Sequence, residues 1–286
     1  MNNNRRILGH IYMGAFLFYL MLPLFVMAGA AFNDSKLPTI IPWKGFTDRW
    51  FIAMWNDNRI WISLRNTVLV AIAVVIIAVP VGAAGAILVN SISGRIRGVL
   101  YGMMVAPILV PGVVIGISTL LFWNQFSIGS GLHLSTLGQV SYIASFVMLL
   151  VLARLQSFDQ GLEEAALDLG ASHGQVMRRV LLPHLYPALG AGAAIAFFQS
   201  IENFNVTLFT RGGADTLTVY VFSKVRSGIT PTINALALLL ILFTLGFAVW
   251  YELRRRRQAR IEAAREADGR RAAVAELARS GGAAKG

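Results

Sequence analysis

The stretch DQGLEEAALDLGASHGQVMRRVLLP, residues 159–183, decides how the rest of the chain is interpreted. Asp159 can cap a helix whose apolar residues recur every three or four positions, and Gly170 stands where a helix-ending glycine is expected. Ser172 and Gln175 have the spacing of a capping box, which starts a second short helix. We therefore predict two short helices joined by a sharp turn, the second of them ending at Pro183.

The sequence on both sides of this stretch is strongly apolar. Of the 286 residues, 56% are hydrophobic and only 14% are charged. A membrane-spanning helix needs about 20 consecutive apolar residues. Six stretches without Lys or Arg meet or approach that length: residues 11–32, 67–90, the run between Arg97 and His133, 134–153, 188–208 and 227–251. The predicted fold class is an all-α polytopic membrane protein with six transmembrane helices.

Positive charges orient these helices, because Lys and Arg beside membrane spans remain in the cytoplasm. If both termini are cytoplasmic, that side holds most of the 25 Lys and Arg residues, including the run Arg254–Arg257. The chain then consists of a cytoplasmic N-terminus (1–10), a transmembrane domain (11–251) and a basic cytoplasmic tail (252–286). The net charge of +11 is a topology signal and not a nucleic-acid footprint, and we expect the tail to contact anionic membrane lipid.

The first apolar stretch has one alternative interpretation, a cleaved signal peptide ending near Ala28-Gly29-Ala30. Its uncharged length exceeds the roughly 7–15 residues of a signal-peptide core. Its removal would also break the charge bias, so we predict a membrane span.

Residues 33–66 form a polar segment that is rich in tryptophan. Thr47 or Asp48 can cap a short helix that carries Trp50, Phe51, Met54 and Trp55 on one face. That pattern is typical of a helix lying among lipid headgroups. An aromatic belt explains the segment, and a docking surface for an external partner is the alternative.

The central stretch contains a second pattern, from Glu164 to Pro183. Its residues follow the spacing E-A-A-x3-G-x9-V-x-L-P. It resembles the EAA loop in the membrane subunits of binding-protein-dependent ABC importers. The resemblance extends over nearly the whole chain, through residues 234–237, and is closest to spermidine/putrescine permease subunits. It implies the six-span, MetI-like fold of type I ABC importer permeases and a place in the bacterial inner membrane.

In that family the EAA loop, here residues 154–184, forms the coupling helix that sits in a cleft of the cytoplasmic ATPase. The resemblance assigns the coupling role to Glu164, Ala165, Ala166, Gly170, Leu182 and Pro183. Glu164 would make a polar contact, the two alanines would allow close approach, and Gly170 would form the turn. A purely structural role for Leu182 and Pro183 is the open alternative.

The resemblance also implies partners. They are a second, PotB-like permease subunit, two PotA-like ATPase subunits and a periplasmic, PotD-like substrate-binding protein. ATP and Mg would bind to the ATPase, and this chain would bind no cofactor. None of its four lysines follows a glycine, so the sequence contains no Walker A motif.

Glu202 is the only acidic residue within a predicted span. A charge there costs about 2.5–3.5 kcal/mol on insertion scales, so Glu202 should face a cavity or a partner. We predict that it belongs to the wall of a substrate path for a cation, with an aromatic ring adding a cation–π contact. The predicted path residues are Gln199, Glu202, Asn203, Phe204 and Asn205.

Polyamine permeases of this type carry two adjacent acids where this sequence has Glu202 followed by Asn203, which halves the fixed charge. Another organic cation, an amino-acid derivative or an organic anion therefore remains an alternative substrate. A structural hydrogen bond across the subunit interface is the alternative role for Glu202.

Two other function classes are weaker. A proton-coupled secondary transporter could use Glu202 as its proton carrier, but it would not need an EAA loop. A membrane hydrolase could use Ser172 in the G-x-S-x-G match at 170–174, but a nucleophile elbow requires a preceding strand and the sequence there is helical. The chain has no cysteine, and its histidines lack metal-ligand spacing. We predict a transport subunit with neither a catalytic residue nor a metal site.

Overall fold

The computed structural model describes residues 3–228 and 230–283, and helices dominate this part of the chain. A π-helical turn, Met177–Leu181, joins two of the helices into one rod. The α-helices are α1 Asn3–Phe32, α2 Arg49–Asn56, α3 Asn58–Ser91, α4 Gly94–Leu109, α5 Gly112–Asn124, α6 Leu132–Leu155, α7 Gln160–Asp168, α8 His173–Val176, α9 Leu182–Ile201, α10 Asn205–Thr210, α11 Leu217–Ser227 and α12 Pro231–Ala283. The predicted all-α class is confirmed.

Five stretches of the described residues are long and apolar enough to cross a membrane: Ile7–Phe32, Asn58–Ser91, Leu132–Leu155, His173–Ile201 and Pro231–Gln258. The remaining predicted span, the run between Arg97 and His133, is not one straight helix. It consists of α4 and α5, which bend by 105°. Pro111 causes the break, because it disfavours the helical conformation at Val110, whose ψ is 129°. Counted as one broken span, this pair brings the total to six.

Two predicted boundaries near the central stretch were wrong. Pro183 does not end a helix, because α8, the π-helical turn and α9 form one continuous element from His173 to Ile201. The π-helical turn lies immediately before Pro183 and changes the hydrogen-bonding pattern there, so the missing proline N–H does not interrupt the rod. At its other end this span stops at Ile201 and not at Leu208.

Within the described residues, 3–54 and 230–283 form one compact unit. In this unit α1 packs on α12. The fully buried Asn33 organises the segment after α1: its Nδ2 donates to Thr39 O (2.8 Å) and Pro42 O (3.1 Å), and its Oδ1 accepts from Lys44 N (2.8 Å). The predicted short helix is α2, and Thr47 Oγ1 accepts from Arg49 N at its start (3.2 Å).

Residues 55–229 form the second unit, whose core lies between α3, α6 and α9. Val74, Val147 and Leu185 are completely buried there. Gly82 allows α3 to approach α6 closely, since a Cβ atom at this position would lie 2.6 Å from Ala144 O. Small residues permit such close helix contacts in membranes, where packing replaces the hydrophobic effect as the driving force.

A hydrogen-bonded cluster fastens α11 to the beginning of α3. The Tyr220 hydroxyl donates to Asp57 Oδ2 (2.6 Å), and Lys224 Nζ lies 3.5 Å from the same oxygen. Burial raises the pKa of Asp57, but the hydrogen bonds from Tyr220 and from the Arg59 backbone and the charge of Lys224 outweigh it, so the net pKa is lowered. Thr67 Oγ1 adds a second link by accepting from Leu217 N (2.8 Å).

The first prediction concerns the contact between α3 and α6. Gly82→Val should destabilise the protein by about 1–3 kcal/mol, because the added side chain overpacks the helix crossing. Thermal unfolding in detergent, followed by fluorescence size-exclusion chromatography, measures the effect. Gly190→Val in α9 is the matched control, since a Cβ there meets nothing within 4 Å. Equal effects of the two substitutions would contradict the packing argument.

The second prediction concerns the pH dependence of the Asp57–Tyr220 link. Tyr220→Phe should lower the thermal midpoint at pH 7, because it removes a hydrogen bond to a charged carboxylate. Such a bond generally contributes about 1.5–3 kcal/mol to stability. Because the folded pKa of Asp57 lies below its ordinary value of 3.8, the stabilisation is complete above that value and is lost as the pH falls through the folded pKa. The difference from wild type should therefore shrink in acid, whereas Tyr101→Phe, at an exposed tyrosine of α4, should have little effect at either pH.

Candidate translocation site and coupling loop

The first half of the central stretch folds as the sequence predicts. Asp159 Oδ1 accepts from Gly161 N (2.9 Å) and so caps α7. At the other end Gly170 has a φ of +84°, Gly170 N donates to Leu167 O (2.8 Å) and Ala171 N donates to Ala166 O (3.0 Å). These two bonds form a Schellman motif, which requires the left-handed backbone that glycine adopts most readily. The predicted turn at Gly170 is confirmed.

The second half begins with the predicted capping box, in which Ser172 N donates to Gln175 Oε1 (2.8 Å). Ser172 follows a helix and a turn, which is not the strand-to-helix elbow of a hydrolase. The hydrolase alternative therefore lacks its structural context.

The predicted coupling residues fall into two places. Glu164, Ala165 and Gly170 are exposed on α7 and at its end. Ala166 is half-buried and lines an apolar groove of about 200 Å³ together with Leu169, which is 90% exposed. Leu182 and Pro183 lie apart from this surface, in the first turn of α9.

A link that the sequence did not reveal fixes the base of the loop. Arg154 Nε donates to His184 O (3.0 Å), the His184 ring contacts Arg154 O (3.2 Å), and Phe158 stacks edge-on against that ring with a centroid distance of 5.1 Å. These contacts join the end of α6 to the start of α9. The two spans that flank the loop are therefore fastened together where the loop begins and ends.

The most important difference from prediction lies at Glu202. Instead of sitting within a span, Glu202 is the residue that ends α9, and a short non-helical break separates it from α10. Asn203 fills the break: its Oδ1 accepts from Thr207 N (3.2 Å) and Thr207 Oγ1 (3.1 Å), and its Nδ2 donates to the Tyr142 hydroxyl (2.8 Å). Its backbone oxygen accepts from Thr218 Oγ1 (3.0 Å).

Gln139 of α6, which is completely buried, also stabilises this break by bonding to residues on both sides of it. Its Nε2 donates to Thr207 Oγ1 (2.9 Å), and its Oε1 accepts from Ser200 Oγ (2.5 Å). A glutamine in an apolar span is the signal that could have identified this network, because a buried amide needs partners.

A cavity of about 430 Å³ opens between the two breaks in the unit of residues 55–229. All five predicted path residues line it, so the structure brings them together. Glu202 is exposed in the isolated chain, and within the described residues its carboxylate has no hydrogen bond or ion pair. The lining residues are Pro107, Ile108, Val110, Gly112, Ile115, Tyr142, Phe146, Gln199, Glu202, Asn203, Phe204, Asn205 and Val206.

The cavity has an aromatic part and a polar part. Tyr142 and Phe146 stand one helical turn apart on α6 with ring centroids 6.4 Å apart, and Phe204 packs on Phe222 of α11 at 4.7 Å. Among the described residues no group of three or more His, Asp or Glu side chains could hold a metal ion. The chemistry that the site offers is one unpaired carboxylate among aromatic rings and amides.

Comparisons with known proteins agree with this architecture. The chain is 32% identical over 254 residues to the putrescine transport system permease protein PotI of Escherichia coli K12, covering 85% of this chain and 89% of that protein. It is 28% identical over 249 residues to the spermidine/putrescine transport system permease protein PotC of the same organism, covering 87% and 94%.

Solved structures share the fold. A bacterial ABC transporter that imports the acidic polysaccharide alginate superposes with a TM-score of 0.66 at 15% identity, over 86% of this chain and 93% of that one. The MetNI methionine transporter in an inward-facing form gives a TM-score of 0.53 at 21% identity, over 70% and 94%. These likenesses support the MetI-type fold of ABC importer permeases.

The family described as "Binding-protein-dependent transport system inner membrane component" matches residues 78–260. Members of this family are transport subunits whose ATPase is a separate chain, so the protein is a multi-pass component of the inner membrane and not an enzyme. On this match and on the extent of the PotI and PotC similarity, the chain belongs to the family of inner-membrane permease subunits of binding-protein-dependent ABC importers.

Proposed function

We propose that this permease subunit forms half of the translocation path of an ABC importer for polyamines, such as putrescine and spermidine. The observation that carries the proposal is the unpaired carboxylate of Glu202 in a cavity lined by aromatic rings. The similarity to PotI and PotC supports it, since both relatives are polyamine permeases that match most of this chain.

A protonated amine suits this cavity chemically. An ammonium group only donates hydrogen bonds, and a carboxylate only accepts them, so Glu202 is its natural partner. The Phe204 ring can add a cation–π attraction, and the amides of Gln199 and Asn205 offer further oxygen acceptors. Asn203 completes the proposed path wall by its place in the same cavity.

The proposal includes partners that complete the transporter. A second, PotB-like permease supplies the other half of the path, two PotA-like subunits bind and hydrolyse ATP with Mg, and a periplasmic PotD-like protein delivers the substrate. Both termini and the loop 154–184 face the cytoplasm in this arrangement, because most of the Lys and Arg residues then lie there. The basic tail contacts anionic lipid headgroups.

The exposed surface of α7 is the proposed contact with the ATPase. Glu164 and Ala165 are exposed there, and the Schellman motif at Gly170 fixes the angle at which the chain leaves the helix. ATP binding closes the ATPase pair and moves the coupling loops together. The fastening of α6 to α9 by Arg154 and His184 passes that movement to the spans, so the path opens alternately to each side. Leu182 and Pro183 contribute by starting α9 at this base.

The third prediction tests the coupling surface. Glu164→Arg should reduce binding-protein-stimulated ATP hydrolysis to the unstimulated rate, because it reverses the charge at the proposed contact. The measurement is phosphate release by the assembled complex in nanodiscs. Glu163→Arg is the matched control: it makes the same charge change one residue away, at a half-buried side chain that faces a different cavity beside the ends of α3 and α6. Normal stimulation in Glu164→Arg, with normal membrane insertion, would contradict the coupling role.

The fourth prediction tests the carboxylate. A charged hydrogen bond contributes about 1.5–3 kcal/mol in general, so Glu202→Gln should lower uptake of radiolabelled putrescine or spermidine by at least about tenfold. ATP hydrolysis should persist, since Glu202 lies far along the chain from the coupling loop and does not touch it. The assay is uptake into proteoliposomes that contain the whole complex. Unchanged uptake would remove Glu202 from the substrate path, and uptake by the isolated chain under an ion gradient would favour a secondary transporter.

A further inference from the structure

We propose that Tyr142 and Phe146 are specificity-determining residues for an organic cation in this cavity, and that Asn203 positions Tyr142 and does not itself bind the substrate. This inference rests on the proposed transport of a cation, and it assigns different roles to neighbouring residues of the same wall. It follows from which hydrogen-bonding groups the structure leaves free.

The side chain of Asn203 has almost no capacity left for a ligand. Its Oδ1 accepts two hydrogen bonds from Thr207, and an amide oxygen has two lone pairs. The backbone N–H of Thr207 can only donate, which fixes the amide orientation with oxygen on that side. One N–H of Nδ2 is given to the Tyr142 hydroxyl. The single remaining group is an N–H donor, which an ammonium ion, itself only a donor, cannot use.

The charged acceptor that the wall leaves free is Glu202, next in sequence to Asn203. The two side chains differ because the break after Ile201 turns them to different surroundings. Asn203 is bonded to α6 and α10, whereas the carboxylate of Glu202 has no partner within the described residues. At the break, Glu202 therefore presents its charge to the cavity, and the hydrogen bonds of Asn203 fix the backbone geometry.

Tyr142 connects Asn203 to the aromatic part of the cavity wall. Its hydroxyl accepts from Asn203, which restricts rotation of the ring, and Phe146 stands one turn further along α6 with an edge-to-face ring contact. Both rings line the cavity with Glu202. A cation held between a carboxylate and aromatic faces gains electrostatic attraction from both, whereas an anion is repelled by both. The arrangement selects by charge without a second acid.

The charge preference of the cavity can be measured directly, because the chain contains no cysteine. A single Ile115→Cys substitution places a thiol in the cavity lining. In the assembled complex, with cysteine-free partner subunits, it is modified by a cationic thiosulfonate (ethylammonium) and by an anionic one (ethylsulfonate). We expect the cationic reagent to react at least about tenfold faster relative to its rate with a free thiol, and spermidine to protect the thiol.

Variants in this background separate the roles. Glu202→Gln should bring the two relative rates close together. Tyr142→Leu should lower the cationic rate by about threefold to thirtyfold, the range expected for a cation–π contact, and leave the anionic rate unchanged. Asn203→Leu should reproduce Tyr142→Leu, because it removes the hydrogen bond that positions the Tyr142 ring. Tyr101→Leu, at a tyrosine outside the cavity lining, is the control.

Two outcomes would overturn the inference: an unchanged preference in Tyr142→Leu, or an unchanged preference in Asn203→Leu although its lowered thermal midpoint shows that the hydrogen bond is lost. If Asn203→Leu fails to assemble, Tyr142→Phe tests the same pair, since it removes the hydroxyl acceptor and keeps the ring. The polyamine assignment fails separately: a complex that keeps the charge preference and takes up no polyamine contradicts the proposed function alone.

Discussion

Everything at the candidate site depends on satisfying the backbone groups that are freed where the helix is interrupted after Ile201. Hydrocarbon offers no hydrogen bonds, so the groups freed at a break must find partners in the protein or in a water-filled cavity. After Ile201 they do so through Asn203, whose oxygen substitutes for the missing helical acceptor of Thr207 N, and through Gln139, which braces Ser200 and Thr207 from α6. Without these two amides the carboxylate of Glu202 would have no defined position.

Close packing holds the same segment from its other side. Val206 is completely buried, and a Cβ atom on Gly116 would lie 3.0 Å from its carbonyl oxygen, while one on Gly138 would lie 2.7 Å from Val206 Cγ1. The short helix α10 is therefore clamped between α5 and α6. In the proposed cycle of alternating access, a break that is held in this way keeps its polar groups in place while whole spans move.

The sequence was sufficient where local chemistry decides the structure. The caps of α7 and α8 and the turn at Gly170 follow from side chains bonding to backbone a few residues away, so their spacing predicts them. It was insufficient where distant contacts decide. Apolar length alone cannot distinguish a continuous span from one that is broken at Pro111 or after Ile201, because the broken stretches are as apolar as the continuous ones. The partners Arg154 and His184 are likewise 30 residues apart in the chain. The path residues were predicted to lie within a span and are instead grouped around a break.

One acid, instead of two, suits a path that must release its substrate. Two acids would bind the proposed polyamine substrate more tightly. Substrate that enters from a binding protein must also leave, so strong binding in the path would slow release. A single carboxylate in a cavity open to water is only partly desolvated, which keeps both its own insertion cost and its attraction for an ammonium group moderate. Aromatic rings add selectivity for a cation without adding a second charge that would have to be solvated when the path is empty. Asn203 in place of an acid thus weakens the proposed hold on the substrate but keeps the hydrogen bonds that define the geometry of the break.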